Sequence, residues 1–188
     1  MLDLEAFIAS LAEDGSDVYA GIGSRETPQD VQDDMTLIAR GLEKLGFILG
    51  SGGAGGADLA FERGVSDPAM KLIFLPWQGF NGSTSPHYPR DPKIIAEAMA
   101  LAASYHPAWH RCTETAKKLH ARNGYQVLGP DLRTPVRFVA CWTKDGGATG
   151  GTGQAIRIAK DRGIPVLNLF FSEERALLVD LARRALAA

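Results

Sequence analysis

Phe47-Ile48-Leu49-Gly50-Ser51-Gly52-Gly53-Ala54-Gly55-Gly56-Ala57-Asp58 is the stretch that decides the fold. Residues 47–50 are a short apolar run of the kind that forms a buried strand. The glycines after it let the backbone turn sharply and approach a ligand. A short helix follows, from about Ala57 to Arg63, closed by Gly64. A glycine-rich turn that opens a helix points several N–H groups at one place, and the helix dipole favours an anion there.

The same unit recurs on both sides. Residues 17–22 read as a buried strand that runs into Gly21-Ile22-Gly23-Ser24-Arg25. Thr27 is placed to cap the next helix and Pro28 to open it. Val31, Met35, Ile38, Leu42 and Leu45 then recur at helical spacing until Gly46. Residues 71–75, 136–141 and 165–169 read as three further strands, with a helix over 154–162 between the last two. Ser172 is placed to cap the final helix, with Glu173 and Glu174 favouring its dipole. Residues 92–122 read as helical, crossing back to the sheet. This alternation predicts an α/β fold: a single Rossmann-like domain, 1–188, with a mainly parallel, doubly wound sheet and helices on both faces.

Length and composition agree. A chain of 188 residues suits one domain, and 45% hydrophobic with 22% charged residues gives it a core to bury. No run approaches the ~18 apolar residues of a membrane span. Met1-Leu2-Asp3-Leu4-Glu5 is acidic and amphipathic, whereas an export signal starts basic and continues apolar. A cytoplasmic protein without membrane association is expected, and self-association is left open. Cys112 and Cys141 stand in no metal or redox spacing and read as reduced thiols. His87, His106, His110 and His120 have no zinc-site spacing, so no metal is expected.

Chemistry concentrates in three glycine-rich turns at predicted strand ends, the edge where parallel sheets bind ligands. The third is Gly146-Gly147-Ala148-Thr149-Gly150-Gly151-Thr152-Gly153-Gln154. In the first, Ser24 offers a binding hydroxyl and Arg25 a two-pronged phosphate contact. None of the three is a Walker A loop, and none is followed by the acidic residue of a dinucleotide fingerprint, so no cofactor is expected. Trp77, Phe80 and Tyr88 decorate a long loop over residues 77–92; they either cover a base or pin the loop to the core. Trp142 is the better candidate for a ligand-facing aromatic.

Charge is unevenly spread. Residues 1–67 hold 4 basic and 13 acidic side chains, and residues 68–188 hold 16 and 9. Arg111, Lys117, Lys118 and Arg122, near Trp109, form either a phosphate-tracking patch or a solvated helix face.

Gly23-Ser24-Arg25, then residues 51–58, then Arg122-Asn123, then Thr149-Gly150-Gly151-Thr152-Gly153-Gln154-Ala155 resemble, in order, four motifs of the Rossmann domain of DNA-processing protein A. The wider superfamily includes the phosphoribohydrolases that activate cytokinins. The resemblance covers roughly residues 17–170. It implies single-stranded DNA held through its backbone for recombinase loading, or a nucleotide-derived small molecule in the same pocket. It further implies that Gly23, Ser24 and Arg25 meet a phosphate, and that Ser51, Gly52 and Gly53 supply the second loop's donors. Arg122 and Asn123 would meet phosphate or sugar, and Gly151, Thr152 and Gly153 would close the pocket. Departures from the family pattern are Glu62, near which it usually has a histidine, and Gly124, where it tends to have a basic residue. The resemblance covers the Rossmann domain alone, so the flanking domains that DNA-processing proteins carry are not expected here. The phosphoribohydrolases need a glutamate after the third loop, where this chain has Gln154-Ala155-Ile156-Arg157. For the alternative activity, cleavage of a nucleotide's glycosidic bond, only Asp58 and Glu62 remain as acid or base.

Overall fold

A computed structural model describes residues 4–11 and 15–188; the Met1-Leu2-Asp3 part of the amphipathic N-terminus lies outside them. Its centre is a five-stranded, all-parallel sheet in the order β3-β2-β1-β4-β5. The strands are β1 (Val18–Gly23), β2 (Ile48–Ser51), β3 (Lys71–Ile73), β4 (Val139–Trp142) and β5 (Val166–Asn168). All five expected strands are present, with ends shifted by at most three residues. The helices are α1 (Leu4–Ser10), α2 (Gln29–Lys44), α3 (Ala57–Gly64), α4 (Pro92–Tyr105), α5 (Glu114–Leu128), α6 (Gly150–Asp161) and α7 (Ser172–Ala187). Among the described residues no helix is long and apolar enough to cross a membrane.

Each strand sends alternate side chains to opposite faces. Tyr19, Leu49, Ala140 and Leu167 join one core with Phe7 of α1, Met35 and Ile38 of α2, Phe61 of α3 and Leu178 of α7. Ala20, Ile22, Val139 and Cys141 join the other with Ala98 of α4, Tyr125 of α5 and Ile156 of α6. Helices therefore cover both faces, and the fold is the Rossmann-like α/β class read from the sequence.

Four local expectations are corrected. Thr27 caps nothing: its Oγ1 donates to the Ser24 carbonyl at 2.7 Å to close the first loop, and Pro28 takes the cap position of α2. Ser172 lies inside α7, whose cap position is Phe171 and has no side-chain cap. Residues 92–122 are two helices, because His106-Pro107 ends α4 and a short 3-10 turn, Trp109–Arg111, precedes α5. α6 starts at Gly150, four residues earlier than expected, so the third glycine loop is itself the helix's first turn.

α2 and α7 pack closely at Gly41, where an added Cβ would sit 2.4 Å from Ala182 Cα and 2.5 Å from its Cβ. Arg175 of α7 locks the pair, with Nε 2.6 Å from Asp34 and Nη1 2.9 Å from Asp30. Gly41→Ala forces the helix backbones apart and should destabilise the fold by ~1–3 kcal/mol, the overpacking range. A urea midpoint lowered with an unchanged slope is the expected result; an unchanged midpoint would show that the crossing yields freely.

Candidate phosphate-binding site

The chain runs outward from β1 through β2 to β3, then returns to place β4 on the other side of β1. Loops leaving β1 and β4 diverge at that reversal, and the crevice between them is where open parallel sheets hold ligands. A cavity of about 560 Å³ lies there, within the ~300–1,000 Å³ range of small-molecule sites. All three glycine-rich loops reach its wall, together with the face of α5 that carries His120, Asn123 and Gln126.

The first loop is held by backbone bonds. Ser24 N–H donates to Trp142 O at 3.1 Å, and Ser24 O accepts from Ala57 N at 3.2 Å. The Ser24 hydroxyl accepts from Glu26 N at 3.0 Å and lines the cavity. Gly56 makes the contact between first and second loops feasible. Its φ is +75°, and an added Cβ would lie 2.5 Å from Ser24 O. Arg25 is exposed at the cavity rim, and among the described residues no carboxylate pairs with it.

Asp58, 2% exposed, ties the second loop to the first. Its Oδ1 accepts from Gly23 N at 3.2 Å and its Oδ2 from Ala54 N at 3.4 Å. Burial lifts its pKa from 3.8 to about 6, against the opposing pull of Arg122 and the loop N–H groups. Arg122 Nη1 donates to Gly52 O at 2.6 Å, while its Nε is buried with no hydrogen-bond partner among the described residues. Phe80 lies 5.5 Å from the guanidinium carbon and lines the cavity beside it.

The third loop delivers a helix end. Thr149 is the cap residue of α6, but its Oγ1 donates to Asp145 at 2.9 Å and gives the helix no side-chain cap. The first intrahelical bond runs from Gly153 N to Thr149 O at 2.8 Å. The N–H groups of Gly150, Gly151 and Thr152 precede it and have no intrahelical partner. These three residues line the cavity, and no acidic side chain occupies that first turn.

Of the residues expected at the site, Gly23, Ser24, Arg25, Asp58, Arg122, Asn123, Gly151 and Thr152 line one cavity. Ser51, Gly52, Gly53, Gly153 and Glu62 do not. Ser51 is fully buried and donates to Gly21 O at 2.7 Å. Gly52 is wedged where an added Cβ would meet Gln126, Asp58 and Arg122 within 2.9 Å. Gly153 packs on Ala148, 2.2 Å from such a Cβ. Glu62 sits half-buried further along α3. Asn123 is buried and donates to Gly151 O at 3.0 Å and Gln154 Oε1 at 2.8 Å, so it fastens the third loop. Trp142 belongs to the core under the sheet and is no ligand-facing aromatic. Trp77 packs edge-on against Phe80 at 5.1 Å, and Tyr88 turns to Arg90, 4.4 Å from its ring.

Sequence reasoning missed His120, Gln126 and Lys144 as cavity residues. His120, Asn123 and Gln126 recur every third residue, but Lys117, Lys118 and Arg122 interrupt the spacing, so the sequence shows no clean polar stripe there. No family model, curated protein or solved structure matches the chain.

The raised pKa of Asp58 has a stability consequence. Its folded pKa lies above its unfolded one, so its favourable contribution is complete below about pH 4 and lost as pH rises through about 6. Two units correspond to about 3 kcal/mol. The difference in unfolding free energy between the native chain and Asp58→Asn should fall by that order between pH 4 and 7. A flat difference would mean that Asp58 stays ionised throughout.

Proposed function

We propose that the cavity binds a phosphate-bearing ligand, a nucleotide derivative or a single-stranded DNA end, with the phosphate between the α6 N-terminus and Arg25. One observation carries this reading. The uncapped first turn of a twelve-residue helix opens into the same cavity as an arginine with no carboxylate partner among the described residues. Unsatisfied N–H groups and a positive dipole end favour an anion, and a guanidinium completes its two-pronged recognition. The orphaned Arg122 Nε supplies a further buried donor in the wall.

Binding is favoured over glycosidic cleavage. Asp58 lines the cavity, but both its oxygens already accept loop N–H groups, and Glu62 is outside the wall. A small ligand is favoured over a long DNA track. Lys117 is paired with Glu114 at 2.7 Å, and Arg122 donates to Gly52 O, so the line from Arg111 through Lys117 and Lys118 to Arg122 is broken at two points.

Arg25→Ala should weaken a nucleoside monophosphate by ~1.5–3 kcal/mol, the range for a charge-assisted hydrogen bond. Calorimetric titration checks this, after a thermal-shift screen across mononucleotides, cyclic nucleotides and short oligonucleotides selects the ligand. Equal affinity in the variant, or no stabilisation by any phosphate ligand, defeats the reading. Steady release of free base from nucleoside monophosphates would replace it with the glycosidase.

A further inference from the structure

Three side chains without zinc-site spacing in the sequence converge at the junction of α4 and α5. His106 ends α4, Cys112 follows the Trp109–Arg111 turn, and His120 lies in the second turn of α5. One nitrogen or sulfur atom from each lies within 4.8 Å of the others. Cys112 Sγ is 3.8 and 3.7 Å from the two ring nitrogens of His106, and the two imidazole centroids are 4.4 Å apart. Tetrahedral zinc, with bonds of ~2.3 Å to sulfur and ~2.0 Å to nitrogen, holds such atoms about 3.5 Å apart.

A second, independent observation concerns which nitrogen of His120 is free. Gln154 is fully buried, and its Nε2 donates to Ala102 O at 2.8 Å. That fixes its Oε1 toward α5, where it accepts from Asn123 Nδ2 at 2.8 Å and stands 3.0 Å from His120 Nδ1. An amide oxygen only accepts, so His120 Nδ1 carries the proton and Nε2 keeps its lone pair. A hydrogen-bonded Nδ1–H behind an open Nε2 is the outer-shell arrangement of a metal-ligating histidine.

We propose that His106, Cys112 and His120 bind a zinc ion, with water in the fourth position. Two imidazoles and one thiolate select a borderline-soft ion over magnesium or calcium, which take oxygen ligands. Binding replaces two weak contacts: Ala108 N–H to His106 Nδ1 at 3.2 Å and the Cys112 thiol to Ala108 O at 3.7 Å. The thiol releases its proton to solvent as the zinc–sulfur bond forms. His120 also lines the phosphate cavity, so the zinc centre would adjoin that wall without depending on a phosphate ligand.

The test uses the chelator-stripped full chain. Equilibrium dialysis against zinc should leave one ion per chain, and cobalt in its place should give a thiolate-to-metal charge-transfer band. Cys112→Ser should abolish the band and weaken zinc by at least ~10-fold, the loss already typical of outer-shell partners. Cys112 is only half-buried, so this variant keeps the fold, and the cobalt spectrum of the unaltered chain is a readout that needs no variant. Arg25→Ala should leave zinc binding intact, which separates this site from the phosphate site. No retained zinc, a cobalt complex without the thiolate band, or equal zinc affinity in Cys112→Ser overturns the proposal.

Discussion

A parallel sheet whose chain starts at the centre must reverse direction once, and the reversal between β1 and β4 governs the rest of the molecule. Backbone pairing ends there: Gly23 of β1 is in register with Trp142 of β4, and the loops beyond them diverge. Loops that diverge leave their N–H groups without a strand to pair with, and buried polar groups need partners. The chain satisfies most of them internally. Asp58 accepts from Gly23 and Ala54, Arg122 donates to Gly52 O, and Asn123 donates to Gly151 O. What is left over is the first turn of α6, so the same reversal that makes the crevice also leaves the donors inside it.

Those internal bonds explain why Asp58 and Arg122 stand in the cavity wall without being spare. Each loop must be held at the distance where three glycine-rich turns can meet, and glycine offers no side chain to do so. Anchoring therefore falls to polar side chains on the neighbouring helices α3 and α5. The consequence for Asp58 is a carboxyl removed from water, whose burial outweighs its favourable neighbours. Arg25 has no such duty. It is exposed at the rim, tied to no loop carbonyl among the described residues, and so available to a ligand.

The strands were legible because each centres on a short apolar run, and the parallel pairing followed from their alternation with helices. Cap residues were misread because a hydroxyl near a helix start has other places to go, as Thr27 shows in closing onto Ser24. The α4–α5 break was present in the sequence as His106-Pro107, since a residue before proline resists the helical conformation. Glycines announced the site but did not all join it. Gly52 packs against side chains of α3 and α5 and Gly153 against Ala148 of its own loop, and such close packing looks the same in sequence as close approach to a ligand. His120 and Gln126 were hidden for the opposite reason. They reach the cavity from a helix far along the chain, and only the crossing of α5 under the second loop brings them there.

Gln154 shows how one packing demand can decide chemistry. It closes the third glycine-rich loop, within α6. Here its amide N–H satisfies Ala102 O, one of the last carbonyls of α4, while Arg157, three residues on, donates to Tyr105 O at 3.0 Å. α6 thus caps the C-terminal end of α4 with two side chains from one face. A carboxylate at position 154 would set an oxygen against that carbonyl, at the negative pole of α4, with nothing to donate. The amide also holds His120 and Asn123 in place through its single acceptor oxygen. An amide fits all three partners and a carboxylate does not. The position therefore works as a structural clasp among α4, α5 and α6.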